Sequence, residues 1–112
     1  MSELLPAPFP LWMAPVQIAI LPIADRHNDK AIELAHQLRD EQYDGRALRV
    51  SVDERRETLG KKIRENQMMK VPYMLVLGDR DIENGTVGVR SREDGDLGAM
   101  TVADLLARLR AV

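Results

Sequence analysis

The order of predicted elements, β-α-β-α-β-β-α, assigns this chain to the α/β class with a mixed sheet. Three observations carry that assignment. Two apolar, β-rich runs, "VQIAILPI" and "VPYMLVLG", have the length and composition of buried strands. Amphipathic segments with helical spacing separate and follow them, which favours crossovers that build a parallel sheet. Asn84-Gly85 is a turn signal placed so that the next strand lies antiparallel to its neighbour.

The elements follow in order. Residues 1–15 hold four of the six prolines, at Pro6, Pro8, Pro10 and Pro15. So many donor-less, φ-restricted residues argue against helix or central strand, so the chain is expected to begin with an arm or linker over residues 1–8 and a single domain over 9–112. The first strand, over 16–23, ends at Pro22 and the polar "ADRHND". From Asn28, with the asparagine as cap, Ala31, Leu34, Ala35 and Leu38 recur at helical spacing until Asp44-Gly45 stops the run. "RALRVSV" (46–52) reads as a short strand and residues 58–70 as a second helix with Leu59 and Ile63 on one stripe. "VPYMLVLG" and "TVGVRSR" (86–92) are strands, "GDRDIEN" between them a solvated loop, and "GDLGAM" a second loop. Thr101 then caps "VADLLARLR", whose Val102, Leu105, Leu106 and Leu109 form an apolar stripe.

Bulk properties narrow the chemistry. At 112 residues the chain supports one core and is too short for two. The absence of cysteine excludes disulfides, thiolate ligands and thiol nucleophiles, and leans towards the cytoplasm. No apolar run approaches the roughly 20 residues that span a bilayer, and the start lacks the pattern of a signal peptide. A net charge of −2 means that any nucleic-acid partner must be met by a local patch.

Catalytic patterns are missing. His27 and His36 are nine residues apart, without a metal-type carboxylate pattern, and are read as surface residues. There is no phosphate loop or nucleophile elbow, and Ser2, Ser51 and Ser91 lack an adjacent base. The acids of "GDRDIEN" could hold a divalent ion, but Arg80 among them favours a solvated loop. The chain by itself carries no catalytic constellation, and no motif supports a small α/β enzyme.

The basic segment is more informative. Arg55, Arg56, Lys61, Lys62, Arg64 and Lys70 are set against Asp53, Glu54, Glu57 and Glu65, a local surplus of two. That balance also suits an ordinary salt-bridged helix face. With Leu59 and Ile63 turned inward, Lys61 and Arg64 fall on the outer side. Met68 lies off the inward stripe, and the sequence gives no account of it.

Longer stretches carry a resemblance. "MAPVQ" (13–17), "LGKKIRE" (59–65), "VPYMLVLGD" (71–79), "NGTVGVR" (84–90) and "GDLGAM" together resemble the C-terminal anticodon-binding domain of threonyl-tRNA synthetase. The similarity extends from about Phe9 to Leu109. Related domains occur in the prolyl, histidyl and glycyl enzymes, but "PYMLVLGD" and "GDLGAM" point to the threonyl branch.

The resemblance implies a mixed five-stranded sheet flanked by three helices, fused in the family to a class II catalytic domain. It implies threonine tRNA, gripped at its anticodon loop, as partner, and no cofactor in this domain; ATP and zinc are expected only in the parent catalytic domain, whose motifs have no counterpart here. An excised or solitary module would then be a monomer, because family dimers form through the catalytic domain. A free-standing synthetase-derived paralogue with a regulatory or protein-binding role is the alternative.

Carried over position by position, the family's base-reading residues fall on Arg56, Arg64, Asp81 and Arg90. Asp81 stands where glutamate is common, and Arg56 where asparagine is usual, so a group that donates and accepts is replaced by one that only donates. Threonine anticodons carry G then U at their second and third positions. A carboxylate can accept from the N1–H and N2–H of an unpaired guanine, and arginines suit the carbonyls of guanine and uracil.

Overall fold

The structure is a computed structural model that describes residues 16–43 and 46–110. Seven strands and four helices occur among them: β1 (Ile18–Pro22), α1 (Asn28–Asp40), β2 (Gln42–Tyr43), β3 (Arg46–Ala47), β4 (Val50–Val52), α2 (Leu59–Met68), β5 (Tyr73–Leu77), α3 (Asp79–Asn84), β6 (Thr86–Ser91), β7 (Gly95–Thr101) and α4 (Val102–Arg110). A 3-10 turn, Asp25–His27, precedes α1. The main sheet has the order β4-β1-β5-β6-β7; β1 runs parallel to β4 and β5, while β5–β6 and β6–β7 are antiparallel. β2 and β3 form a separate antiparallel ribbon.

This topology follows from strand handedness. The chain passes from β1 to β4 through α1, then back past β1 to β5 through α2. Right-handed crossovers travelling in opposite directions must place their helices on opposite faces. α1 and α4 therefore cover one face of the sheet and α2 the other. β1 is buried along its whole length because it is covered on both sides. Ile18 and Ile20 join Leu34, Leu38, Leu75, Val87, Leu105 and Leu109 in the larger core. Ala19 and Leu21 meet Val71 and Met74 in the smaller core, under Leu59 and Ile63 of α2.

The mixed sheet of five strands and the three long helices, α1, α2 and α4, agree with expectation, but several local readings change. "GDLGAM" is the fifth strand. Its glycines disguise it: Gly95 (φ 77°) closes the turn from β6, and Gly98 (φ 81°) lies where the β6–β7 register shifts. "GDRDIEN" is not a loop but contains α3, too short to show periodicity. Asn84-Gly85 is its C-terminus, with Gly85 in the left-handed region at φ 71°. Asn28 is the first residue of α1 rather than its cap, and Asp44-Gly45, like the arm over 1–8, lies outside the described residues. The strand expected over 46–52 is divided between β3 and β4. β4 is an edge strand, and Arg39 Nη2 donates to its Val50 carbonyl at 2.6 Å. Thr101 does cap α4, its Oγ1 accepting from Asp104 N at 3.1 Å.

α2 ends in a Schellman arrangement: Lys70 N donates to Gln67 O at 3.0 Å and Val71 N to Asn66 O at 3.2 Å. The left-handed position belongs to Lys70, at φ 63°, where glycine is usual. Relieving this strain predicts that Lys70→Gly raises stability by about 0.5–1 kcal/mol, read as an upward shift of the urea midpoint. An unchanged or lower midpoint contradicts this.

Candidate nucleic-acid interface

α2 supplies the cationic flank of the domain. Thr58 Oγ1 caps it by accepting from Lys61 N at 3.2 Å. The cations of this segment have separate fates. Lys62 is only 3% exposed, and its Nζ donates to the carbonyls of Pro22 at 3.1 Å and Asp53 at 3.0 Å. It fastens α2 to the ends of β1 and β4 and is not part of the surface. Arg55 is held by Asp53 (Nη2–Oδ2 2.7 Å) and by Glu65, partners that raise its pKa. Asp53 is correspondingly lowered, chiefly by its hydrogen bonds from Arg55. Lys61 pairs with Glu57 at 3.3 Å. Arg64 is exposed and makes no hydrogen bond or ion pair among the described residues.

Geometry divides the four sequence-predicted residues into two pairs. Arg64 and Arg90 belong to the α2 side of the sheet. Glu65 faces Arg55 towards β4, so the helical period turns Arg64 away from β4 and outward. On β6, Val87 and Val89 enter the larger core, so Gly88 and Arg90 alternate onto the opposite face. α2 does not cover that area: Gly88, Arg90 and Val76 are half-buried, and Ala99 of β7 is exposed. Arg90 lies opposite Met74, a residue of the core beneath α2, with its Nη1 3.7 Å from Asp96 Oδ2. Its buried Nε has no partner among the described residues.

Arg56 and Asp81 instead lie at the carboxyl ends of the parallel strands. Arg56 follows β4, is 87% exposed, and pairs with Asp25 at 2.9 Å. Asp81 is half-buried in the first turn of α3. Its Oδ2 accepts from Gly78 N at 3.1 Å and its Oδ1 from Thr86 Oγ1 at 3.3 Å. The carboxylate thus caps its own helix and fixes the start of β6. Asp81 and Thr86 also line a cleft of about 300 Å³ with Lys30, Gln37 and Val102.

Two features escaped the sequence reading. In the sequence Lys70 stands out only as a charge. The structure holds it, exposed and strained, at the junction of α2 and β5, where Arg92 Nη1 donates to its carbonyl at 3.0 Å. A non-glycine residue at the end of an apolar-periodic helix was the available signal. His27, read as a surface residue, is 2% exposed. Its Nδ1 accepts from Ala24 N at 3.1 Å, and its Nε2 lies 2.6 Å from Asp79 Oδ1. His36 is exposed, as expected. Met68 and Met69, 74% and 65% exposed, line an open groove between α2 and β4, and nothing in the structure explains their exposure.

Arg26 grips the same Asp79, with Nη2–Oδ2 at 2.6 Å and Nε–Oδ1 at 3.2 Å. Hydrogen bonds from Arg26, then His27, hold the Asp79 carboxyl well below the usual carboxylate range. A depressed carboxylate contributes stability in full above its unfolded value, about pH 4, and loses it as pH falls further. Asp79→Asn is therefore expected to lower the urea midpoint at pH 7 and to flatten its decline between pH 4 and pH 2. Parallel acid limbs for the two proteins would contradict this.

Comparison with known proteins places this geometry. The anticodon binding domain family matches residues 17–112. Threonine–tRNA ligase of Natranaerobius thermophilus is 48% identical over 102 residues, covering 91% of this chain and 15% of the relative. The ligase of Alkalilimnicola ehrlichii is 49% identical over 102 residues, with the same coverage of 91% and 15%. That of Syntrophomonas wolfei is 52% identical over 91 residues, covering 81% and 14%. The chain thus spans about 15% of the length of the first of these relatives. Among solved structures, the RNA binding domain of threonyl-tRNA synthetase from Cryptosporidium parvum Iowa II superposes with a TM-score of 0.79 at 28% identity, covering 92% of this chain and 25% of that one. With the family match extending over residues 17–112, the chain belongs to the anticodon-binding domain family, and the relatives it resembles here are threonine–tRNA ligases.

Proposed function

We propose that this domain binds the anticodon loop of threonine tRNA as the recognition module of a threonine–tRNA ligase, supporting aminoacylation by a separate class II catalytic domain. ATP and zinc belong to that catalytic domain in this reading, the compartment is the cytoplasm, and the isolated module is a monomer. The observation that carries it is the cationic flank formed by α2 and the uncovered face of β6, on a domain of net charge −2. Arg64 and Arg90 present guanidinium groups there, and Lys70 adds a third cation at the end of α2. Guanidinium forks suit base carbonyls and phosphates, and single-stranded loops expose the base edges that such groups read. Arg56 and Asp81 stand at the neighbouring edge, where Asp81 retains lone pairs for a guanine beyond its two internal bonds. No helix among the described residues is long and apolar enough to cross a membrane.

A threonine anticodon stem-loop is expected to bind in the micromolar range or more weakly, because one small domain meets few phosphates. Replacing the central G of the anticodon by A should weaken binding roughly tenfold, the worth of about 1–3 kcal/mol for a desolvated group left unpaired. Equal affinity for the two hairpins, at low and moderate salt, favours the free-standing paralogue. In the same titration, Arg90→Ala should reduce discrimination between the hairpins. His36→Ala, on the exposed side of α1 behind the sheet, should leave it unchanged. Equal effects of the two substitutions contradict the assignment of this face.

A further inference from the structure

We propose that His27 is a positioning residue for base discrimination: it holds α3, and through α3 the Asp81 carboxylate, in the orientation that reads the nucleotide. The proposal deepens the anticodon-binding reading and rests on it.

The argument begins with α3. It has six residues, none of them buried, and only Ile82 packs partly against the larger core. A helix of this length has no stability of its own and takes its place from its attachments. At its C-terminus Gly85 permits the left-handed turn into β6. At its N-terminus two carboxylates act. Asp81 caps the helix from within and accepts a 3.3 Å bond from Thr86 Oγ1 at the start of β6. Asp79 reaches outside, to Arg26 and His27 in the turn after β1.

These two outside attachments are unequal. The Arg26–Asp79 pair is exposed, with both side chains 68% accessible, and such pairs hold little. His27 is buried at 2% exposure and fixed at both ring nitrogens. Ala24 N donates to Nδ1, so the ring proton lies on Nε2 and is donated to Asp79 Oδ1. The imidazole is therefore a rigid bracket between the end of β1 and the first residue of α3. The same turn carries Asp25, partner of Arg56, so both edge residues of the proposed reader connect to this bracket. The larger core takes only the partly buried Ile82 from α3, while Ile18, Ile20, Leu75 and Leu77 pack chiefly against one another and the long helices.

The test compares His27→Phe, which fills the buried volume but removes both hydrogen bonds, with His27→Gln, which retains a donor for Asp79. Both are titrated, well below their unfolding temperatures, against the threonine anticodon hairpin and the hairpin with its central G changed to A. His27→Phe is expected to lose at least fivefold in the affinity ratio, with affinity for the altered hairpin and salt dependence unchanged. His27→Gln should keep most of the ratio. Hydrogen exchange supplies an arm independent of RNA. The Ile82 amide, which donates to Gly78 O at 3.1 Å, should exchange at least tenfold faster in His27→Phe than in the parent, while the Lys62 amide of α2 does not change. A parent domain that fails to distinguish the hairpins defeats the anticodon reading, and the exchange arm alone then decides the bracket. A wild-type ratio in His27→Phe, or unaltered Ile82 exchange, overturns the positioning role, as does a loss in His27→Gln as large as in His27→Phe.

Discussion

A buried lysine joins the layers of this domain. Lys62 lies on the inner side of α2, and its Nζ donates to the last carbonyl of β1 and to the carbonyl just after β4. Parallel strands that end side by side leave such carbonyls without ladder partners, and burying them unpaired would cost about 1–3 kcal/mol each. One side chain answers both and fixes the axial position of the helix. Asn66, one turn on, donates to the Lys62 carbonyl at 2.8 Å and is itself buried. The placement of every other α2 residue, including Arg64 and Lys70, is referred to this anchor.

The electrostatics of the domain are local. Most cations near α2 are neutralised within the fold: Arg55 by Asp53 and Glu65, Lys61 by Glu57, Arg56 by Asp25. What remains is a narrow flank bounded by Arg64, Lys70 and Arg90, the last 3.7 Å from Asp96, beside a stretch of sheet that α2 leaves open. Exposed ion pairs exchange partners at little cost, so Arg56 and Lys61 can be released to a polyanion, whereas Lys62 cannot. A domain of net charge −2 can thus present a cationic surface without a basic sequence.

The carboxyl ends of β1, β4 and β5 form a second polar region of a different physical kind. Fixed hydrogen bonds rather than net charge dominate there. His27, Arg26 and Asp79 link the turn after β1 to α3, and Asp81 links α3 to β6. Open α/β sheets place ligand sites at this edge because strand ends and helix starts converge on it.

The sequence by itself determined the class of the fold, the buried strands and the amphipathic helices. Apolar spacing is a local property, and "VQIAILPI", "VPYMLVLG" and "VADLLARLR" each carry it in full. The long match of motifs likewise made the family legible. Tertiary structure decided the rest. "GDLGAM" became a strand because β6 offers it an edge and its glycines accept the turn and the register shift. His27 and Lys62 became buried because distant strand ends supply partners that no neighbour in sequence could reveal. Arg64 and Arg90 came to one face through the phase of a helix and the alternation of a strand 26 positions away. Local pattern encodes which surface a segment buries; only the packing of segments fixes which polar groups then face each other, because those partners lie far apart along the chain.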